Sequence, residues 1–215
     1  MKIIALYASP SHGRNSDSMM DNFLTGIQNA DKNSNIEIEK IILSEIFIEN
    51  YSYQNSRGAQ ENEKDFAELT EKIKSSADAL IISTPTYNFS VPAGLKNFID
   101  RIRFIALDLE NKNIMNQPIG KLSHLKVYFL VSGGTPSWAQ KILFFAFPPF
   151  WLRGVFLYYG AKCMGAFYSG NIKTFQNQRI LNKCQKLGYK FAKKLLAGKN
   201  HGILERIFWR PPQIN

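Results

Sequence analysis

Short runs of continuous apolar residues alternate along this chain with stretches whose apolar residues recur every three or four positions, and turn-forming residues separate the two. Lys2 to Ser9 is an apolar run closed by Pro10 and reads as a buried strand. Met20, Phe23, Leu24 and Ile27 then share one helical face, with Ser16 or Asp17 as the expected N-cap. Ile36 to Leu43 alternates before turning wholly apolar, which suits a strand near the edge of a sheet. Phe66, Leu69 and Ile73 mark a second helix, and Ala77 to Thr84 a third strand that Pro85 closes. Behind Pro92, whose missing N–H costs nothing in a first turn, Leu95, Phe98, Ile99 and Ile102 repeat at helical spacing. A polar excursion from Asn111 to Ser123 precedes a fourth strand, Leu125 to Val131, and Ala161 to Tyr168 is the fifth. The last helix carries Ile180, Cys184, Leu187, Phe191 and Leu195.

Strands separated by crossovers long enough to hold helices predict an α/β fold: a doubly wound, five-stranded parallel sheet in the order 2-1-3-4-5 with helices on both faces. Ligands of such sheets sit beyond the C-terminal strand ends where the order reverses, here between the first and third strands. Residues 1–200 are expected to form one domain and 201–215 a C-terminal tail.

Composition narrows the function. Of 215 residues 45% are hydrophobic, enough for one large core and too few residues for two full ones. Cys163 and Cys184 lie in separate apolar stretches, which offers neither a disulfide framework nor metal-ligand spacing and suits a reducing, cytoplasmic setting. Met1 and Lys2 run straight into the first strand without the pattern of a secretory signal. The formal charge of +10 sits largely on Lys/Arg-rich helical faces and the C-terminal tail, and its plain reading is a solvated basic surface with no nucleic-acid partner.

Two turns carry the chemistry. The first, after the first strand, contains Ser9, Ser11, His12, Arg14, Asn15, Ser16 and Ser18 ahead of a helix. Hydroxyls, helix-start N–H groups and a fixed positive charge suit a phosphate monoester. The turn lacks both the G-x-G-x-x-G and the G-K-[ST] patterns, which argues against a dinucleotide or a nucleoside triphosphate. By itself it is equally an ordinary serine-rich turn. The second, Pro85, Thr86, Tyr87, Asn88, Phe89 and Ser90, would stand beside it and offers aromatic walls and polar groups to a planar ring. Each aromatic taken singly could instead be core.

The run from Pro85-Thr86-Tyr87-Asn88-Phe89-Ser90-Val91-Pro92 through Arg101 resembles the flavin loop and following helix of the NAD(P)H-dependent FMN reductases and the related flavodoxin-like quinone, azo and nitro reductases. Ala8 to Ser18 resembles the FMN-phosphate loop of that family, with His12-Gly13 where a more basic pair is often found. The resemblance fades after Arg103. It implies bound FMN held by the two turns, with a contribution from Ser132, Gly133 and Gly134, NAD(P)H as co-substrate, a small-molecule electron acceptor and a homodimer or homotetramer. One branch of the family holds an iron–sulfur centre through cysteines after the second strand. Ile46 to Ser56 of this chain contains none, so FMN alone is expected and no metal.

The expected activity is ping-pong hydride transfer, the flavin carrying the chemistry, with no catalytic side chain assigned to His12, His124 or His201. The competing readings are a flavodoxin-type electron carrier, against which the basic charge speaks, and a flavin-free relative acting as an interaction module. The aromatic stretch Ile142 to Leu152 is too short and proline-broken to cross a bilayer. It is expected to cover the ring or form a dimer seam, with a membrane-surface role, helped by Arg206, Trp209 and Arg210, as the lesser alternative.

Overall fold

The computed structural model describes residues 1–11, 13–113, 116–138, 148–170 and 173–198. In chain order it gives β1 (Lys2–Tyr7), α1 (Asn15–Ala30), β2 (Glu37–Ile42), α2 (Lys64–Glu71), β3 (Ala79–Pro85), α3 (Ala93–Arg101) and α4 (Arg103–Ala106). There follow β4 (Leu107–Lys112), β5 (Pro118–Gly120), β6 (Lys126–Ser132), α5 (Pro148–Tyr158), β7 (Lys162–Ser169) and α6 (Gln178–Leu196). β2, β1, β3, β6 and β7 form a parallel sheet in that order. Counted within the sheet, this is the order 2-1-3-4-5.

Alternate residues of each central strand feed two cores, as a pleat covered on both faces requires. Ile4, Leu6, Leu80, Ile82, Val127 and Phe129 pack under α2, α3 and α5 through Phe66, Leu69, Leu95, Phe98, Leu152 and Phe156. Ile3, Ala5, Ala79, Ile81 and Leu130 pack on the other face against Met20, Phe23 and Ile27 of α1 and Cys184, Phe191 and Leu195 of α6. α1 and α6 cross closely because a glycine stands on each. A Cβ at Gly26 would collide with the Gln185 carbonyl, and one at Gly188 with the Phe23 carbonyl.

Three local expectations shift. α1 starts at Asn15 with Arg14 as N-cap, ahead of Ser16 and Asp17; the Asp17 carboxylate instead accepts the Gly13 N–H at 2.9 Å and the Ser16 hydroxyl at 3.2 Å. The polar excursion and the four residues before it form an antiparallel ribbon, β4 with β5, held to the body where the Lys121 N–H meets Ala106 and the Leu122 N–H meets Tyr159. The aromatic stretch yields a helix, α5, because Pro148 and Pro149 occupy a first turn, where proline lacks only a hydrogen bond that no helix makes. Residues 142–147 lie outside the described residues, as does the 201–215 tail. Among the described residues no helix is long and apolar enough to cross a membrane.

Candidate functional site

β1 and β3 are hydrogen-bonded neighbours, with Tyr7 opposite Ser83, and the pairing runs one step further because the Ala8 N–H donates to the Ser83 carbonyl at 2.8 Å. β3 in turn adjoins β6, whose end is tied on by a 2.7 Å bond from the Thr86 N–H to the Ser132 carbonyl. The two sequence-marked turns and the Ser132-Gly133-Gly134 segment therefore leave three adjacent strands at one edge of the sheet, where the winding reverses.

The first turn is organised by its own polar groups. Ser9 is buried, donates to the Ser11 carbonyl at 2.7 Å and accepts the Ser11 N–H at 3.2 Å, an arrangement that pins the backbone as it leaves the sheet. Ser16 is buried under the Asp17 carboxylate. Asn15 accepts the Phe175 N–H at 3.1 Å through its side chain. Ser11 and Arg14 are exposed, Ser18 is half-buried, and His12 lies outside the described residues. The groups that present themselves to an incoming anion are accordingly Ser11, Arg14 and the start of α1.

The second turn is closed by a reciprocal pair of 2.9 Å bonds between Tyr87 and Ser90. Asn88 and Phe89 at its tip have φ of 49° and 63°. Asparagine tolerates that region, whereas a non-glycine residue such as phenylalanine bears a cost of roughly 1–2 kcal/mol. Phe89 is 61% exposed and Tyr87 46%, so burial of their rings does not compensate for the conformation. Strain of this kind persists where function requires the shape. Phe89→Gly is therefore expected to raise the melting temperature by about 2–4 °C, at about 1 kcal/mol relieved, while weakening the hold on a planar ligand. A thermal melt showing no gain would refute the strain.

At the third segment the Gly133 N–H donates to the Ser169 carbonyl at 2.9 Å. A Cβ there would meet the Thr86 hydroxyl and stand 2.6 Å from the Tyr168 phenol oxygen. The Tyr168 phenol donates at 2.8 Å to the Thr135 carbonyl, and burial holds its pKa above the usual range. Only glycine fits at 133, so the third segment packs directly against half-buried Thr86 and the Tyr168 ring, while Gly134 is exposed.

Residues without an assigned role in the sequence fix the loop after β2. The loop after β2 lies across α3, where the Asn97 amide donates to the Glu49 carbonyl at 3.0 Å and accepts the Tyr51 N–H at 2.8 Å. One turn later Arg101, wholly buried, pairs both guanidinium N–H arms with the Glu63 carboxylate at 2.7 Å and also reaches the Glu49 and Gly58 carbonyls. Burial pushes the Glu63 carboxyl up, but Arg101 and the Gln60 and Glu49 N–H groups outweigh it and keep the pKa below the usual range. A cleft of about 180 Å³ results between Ser9-Pro10, Ile46 and Ile48 of this loop, and Pro92 to Asn97. The signal was an arginine within three residues of Phe98 on the apolar stripe of α3. Cys184 offers no nucleophile, since burial pushes its thiol up to about 12. His124 bonds the Ile73 carbonyl at 3.1 Å ahead of β6, at the opposite edge of the sheet.

Known proteins resemble this chain in sequence and in fold. An FMN-dependent NADH:quinone oxidoreductase of Metamycoplasma arthritidis is 42% identical over 77 residues, 35% of this chain and only 39% of that protein's length. The namesake protein of Mycoplasma pneumoniae is 31% identical over 146 residues, covering 63% of this chain and 68% of that one. Among solved structures, an FMN-dependent NADH-azoreductase of Bacillus anthracis in complex with FMN superposes with a TM-score of 0.68 at 18% identity, over 90% of this chain and 98% of its own. At that identity the likeness speaks for the fold. The pattern that defines the NADPH-dependent FMN reductases matches residues 1–146, taking in every strand of the sheet but the last and the three turns described above, and the chain belongs to that family.

Proposed function

We propose that this chain is an FMN-dependent oxidoreductase that takes hydride from NAD(P)H and, in a second half-reaction at the same place, reduces a small quinone-, flavin-, azo- or nitro-type acceptor. The observation that carries the reading is the strained, aromatic Tyr87–Ser90 turn standing on the strand next to the serine-rich turn at the reversal of the sheet. Relatives named as FMN-dependent NADH:quinone oxidoreductases support it.

The residues present fit FMN. The exposed Arg14 and Ser11, with Ser9, Asn15, Ser16 and Ser18 shaping or lining the turn, match a phosphate in charge and donor chemistry, and the sequence adds His12. Gly133, where a side chain would strike the Thr86 hydroxyl and the Tyr168 phenol, lets the third segment pack closely against the base of the second turn. Tyr87 and Phe89 supply apolar walls, and Asn88 and Ser90 polar groups at the ring edge. FMN, when bound, supplies the hydride acceptor and donor. The protein's task is orientation: the turns fix the plane, the Glu63–Arg101 lock fixes the loop beside the cleft, and the exposed mouth lets one substrate replace the other.

Purified protein loaded with FMN should be yellow, should bleach with NADPH or NADH under anaerobic conditions, and should recover its colour on addition of menadione. Protein that takes up no FMN defeats the proposal, and protein that bleaches without menadione turnover reduces it to an electron carrier. Arg14→Ala is expected to weaken FMN about tenfold by removing a charged donor to phosphate, and riboflavin hardly at all. Equal losses for the two ligands in fluorescence titration would place the phosphate elsewhere.

A further inference from the structure

The charge of this chain is gathered in one place. Residues 1–172 hold seventeen Lys or Arg against sixteen Asp or Glu, whereas residues 173–215 hold ten against a single Glu205. On α6, Arg179, Lys183, Lys186, Lys190, Lys193 and Lys194 are all exposed, and the helix contains no acidic residue. At 100° per residue these six fall within an arc of about 100°, opposite the buried stripe of Cys184, Gly188, Phe191 and Leu195. Lys183 lies over Phe167 at 4.5 Å and Lys193 over Tyr189 at 5.8 Å, and among the described residues none of the six pairs with a carboxylate. A merely solvated face would intersperse both signs, as α2 does with Glu68 and Lys72 just beyond its end.

We infer that the outer face of α6 docks on an anionic lipid bilayer. The stripe runs roughly 22 Å along the helix, long enough for its charges to lie on one plane. Five of its six cations are lysines, which serve a diffuse negative surface as point charges; bidentate capture of individual phosphates would call for arginine. Stable attachment needs an apolar signal besides charge. The sequence after Gly198, outside the described residues, provides its composition: Ile203, Ile207, Phe208 and Trp209 beside Arg206 and Arg210. That mixture favours the lipid interface over nucleic acid, whose backbone offers nothing to aliphatic side chains. The inference concerns a face away from the turns and stands whether or not the proposed activity holds.

The test is co-sedimentation of the full chain with vesicles of phosphatidylcholine alone and of phosphatidylcholine containing about 30% phosphatidylserine. The parent should bind only the anionic vesicles at low salt and release as screening rises. Lys186→Gln/Lys190→Gln/Lys194→Gln should weaken binding by about a hundredfold, near fivefold per lysine, with an unchanged melting temperature. Arg179→Gln/Lys183→Gln/Lys193→Gln supplies an independent set on the same face if the first variant folds poorly. Equal sedimentation with neutral and anionic vesicles, parent-like binding by a folded variant, or tighter binding to random-sequence duplex DNA than to the anionic vesicles at the same salt would each overturn the inference.

Discussion

Arg101→Met should lower the folding free energy by about 3–5 kcal/mol, because it strands the Glu63 carboxylate in a site with no exposure. The loss extends beyond one ion pair. Arg101 also satisfies the Glu49 and Gly58 carbonyls, and Glu63 satisfies the Glu49 N–H at 2.7 Å and the Gln60 N–H at 2.6 Å. A double variant, Glu63→Leu/Arg101→Met, removes both charges but leaves those backbone groups buried. It should therefore cost about as much as either single change and regain little. Urea unfolding reads all three; a loss below about 1 kcal/mol for Arg101→Met would show that the pair contributes no more than a surface bridge. Acid should act in the same direction. Since the folded Glu63 pKa lies below its unfolded value, its stabilisation is complete above about pH 5 and is lost as the pH falls through the folded pKa. The loop after β2 should loosen before the sheet, and with it the cleft wall at Ile46 and Ile48.

Gly188→Ala is expected to be nearly as damaging, at about 3 kcal/mol, although it adds a single methyl group. That methyl would point into the Phe23 carbonyl across the α1–α6 crossing, and backbone cannot rotate aside as a flexible side chain can. The helices must separate. α1 begins at the first turn, so the displacement should also weaken FMN, with the melting temperature falling by about 6–12 °C. An alanine variant with parental melting temperature and FMN affinity would mean that the crossing is slack.

Most of the sheet could be read in advance because its central strands are continuous apolar runs between turn residues. Leu80, Ile81 and Ile82 are all at 0% exposure, and such a run covered on both faces has few other fates. The adjacency of the two turns followed from strand order alone. What stayed hidden depends on partners distant in sequence. Leu107 and Leu109 alternate with Asp108 and Glu110, a short strand pattern that the surrounding polar residues obscured. α5 is apolar on nearly every side, so no period announced a helix, and its two prolines read as a break. Nothing local to Arg101 indicates that its partner lies 38 residues back, nor does a glycine at 188 show that another helix presses on it. At the site, residue types and turns were legible; the left-handed backbone at Phe89 was not, since phenylalanine is a residue that rule would exclude.

The two outer strands of the sheet bear on how copies of this chain can associate. β2 carries Glu37, Glu39 and Lys40 along its open flank, with Glu39 engaged by Lys2 and Lys72. β7 is kinked where its register with β6 slips between Val127 and Tyr128. A charged margin on one side and a bent one on the other make poor templates for an added strand. Continuous sheet extension between molecules is thereby disfavoured, and a dimer of this chain would be built from helices and loops, leaving each sheet closed to its neighbour.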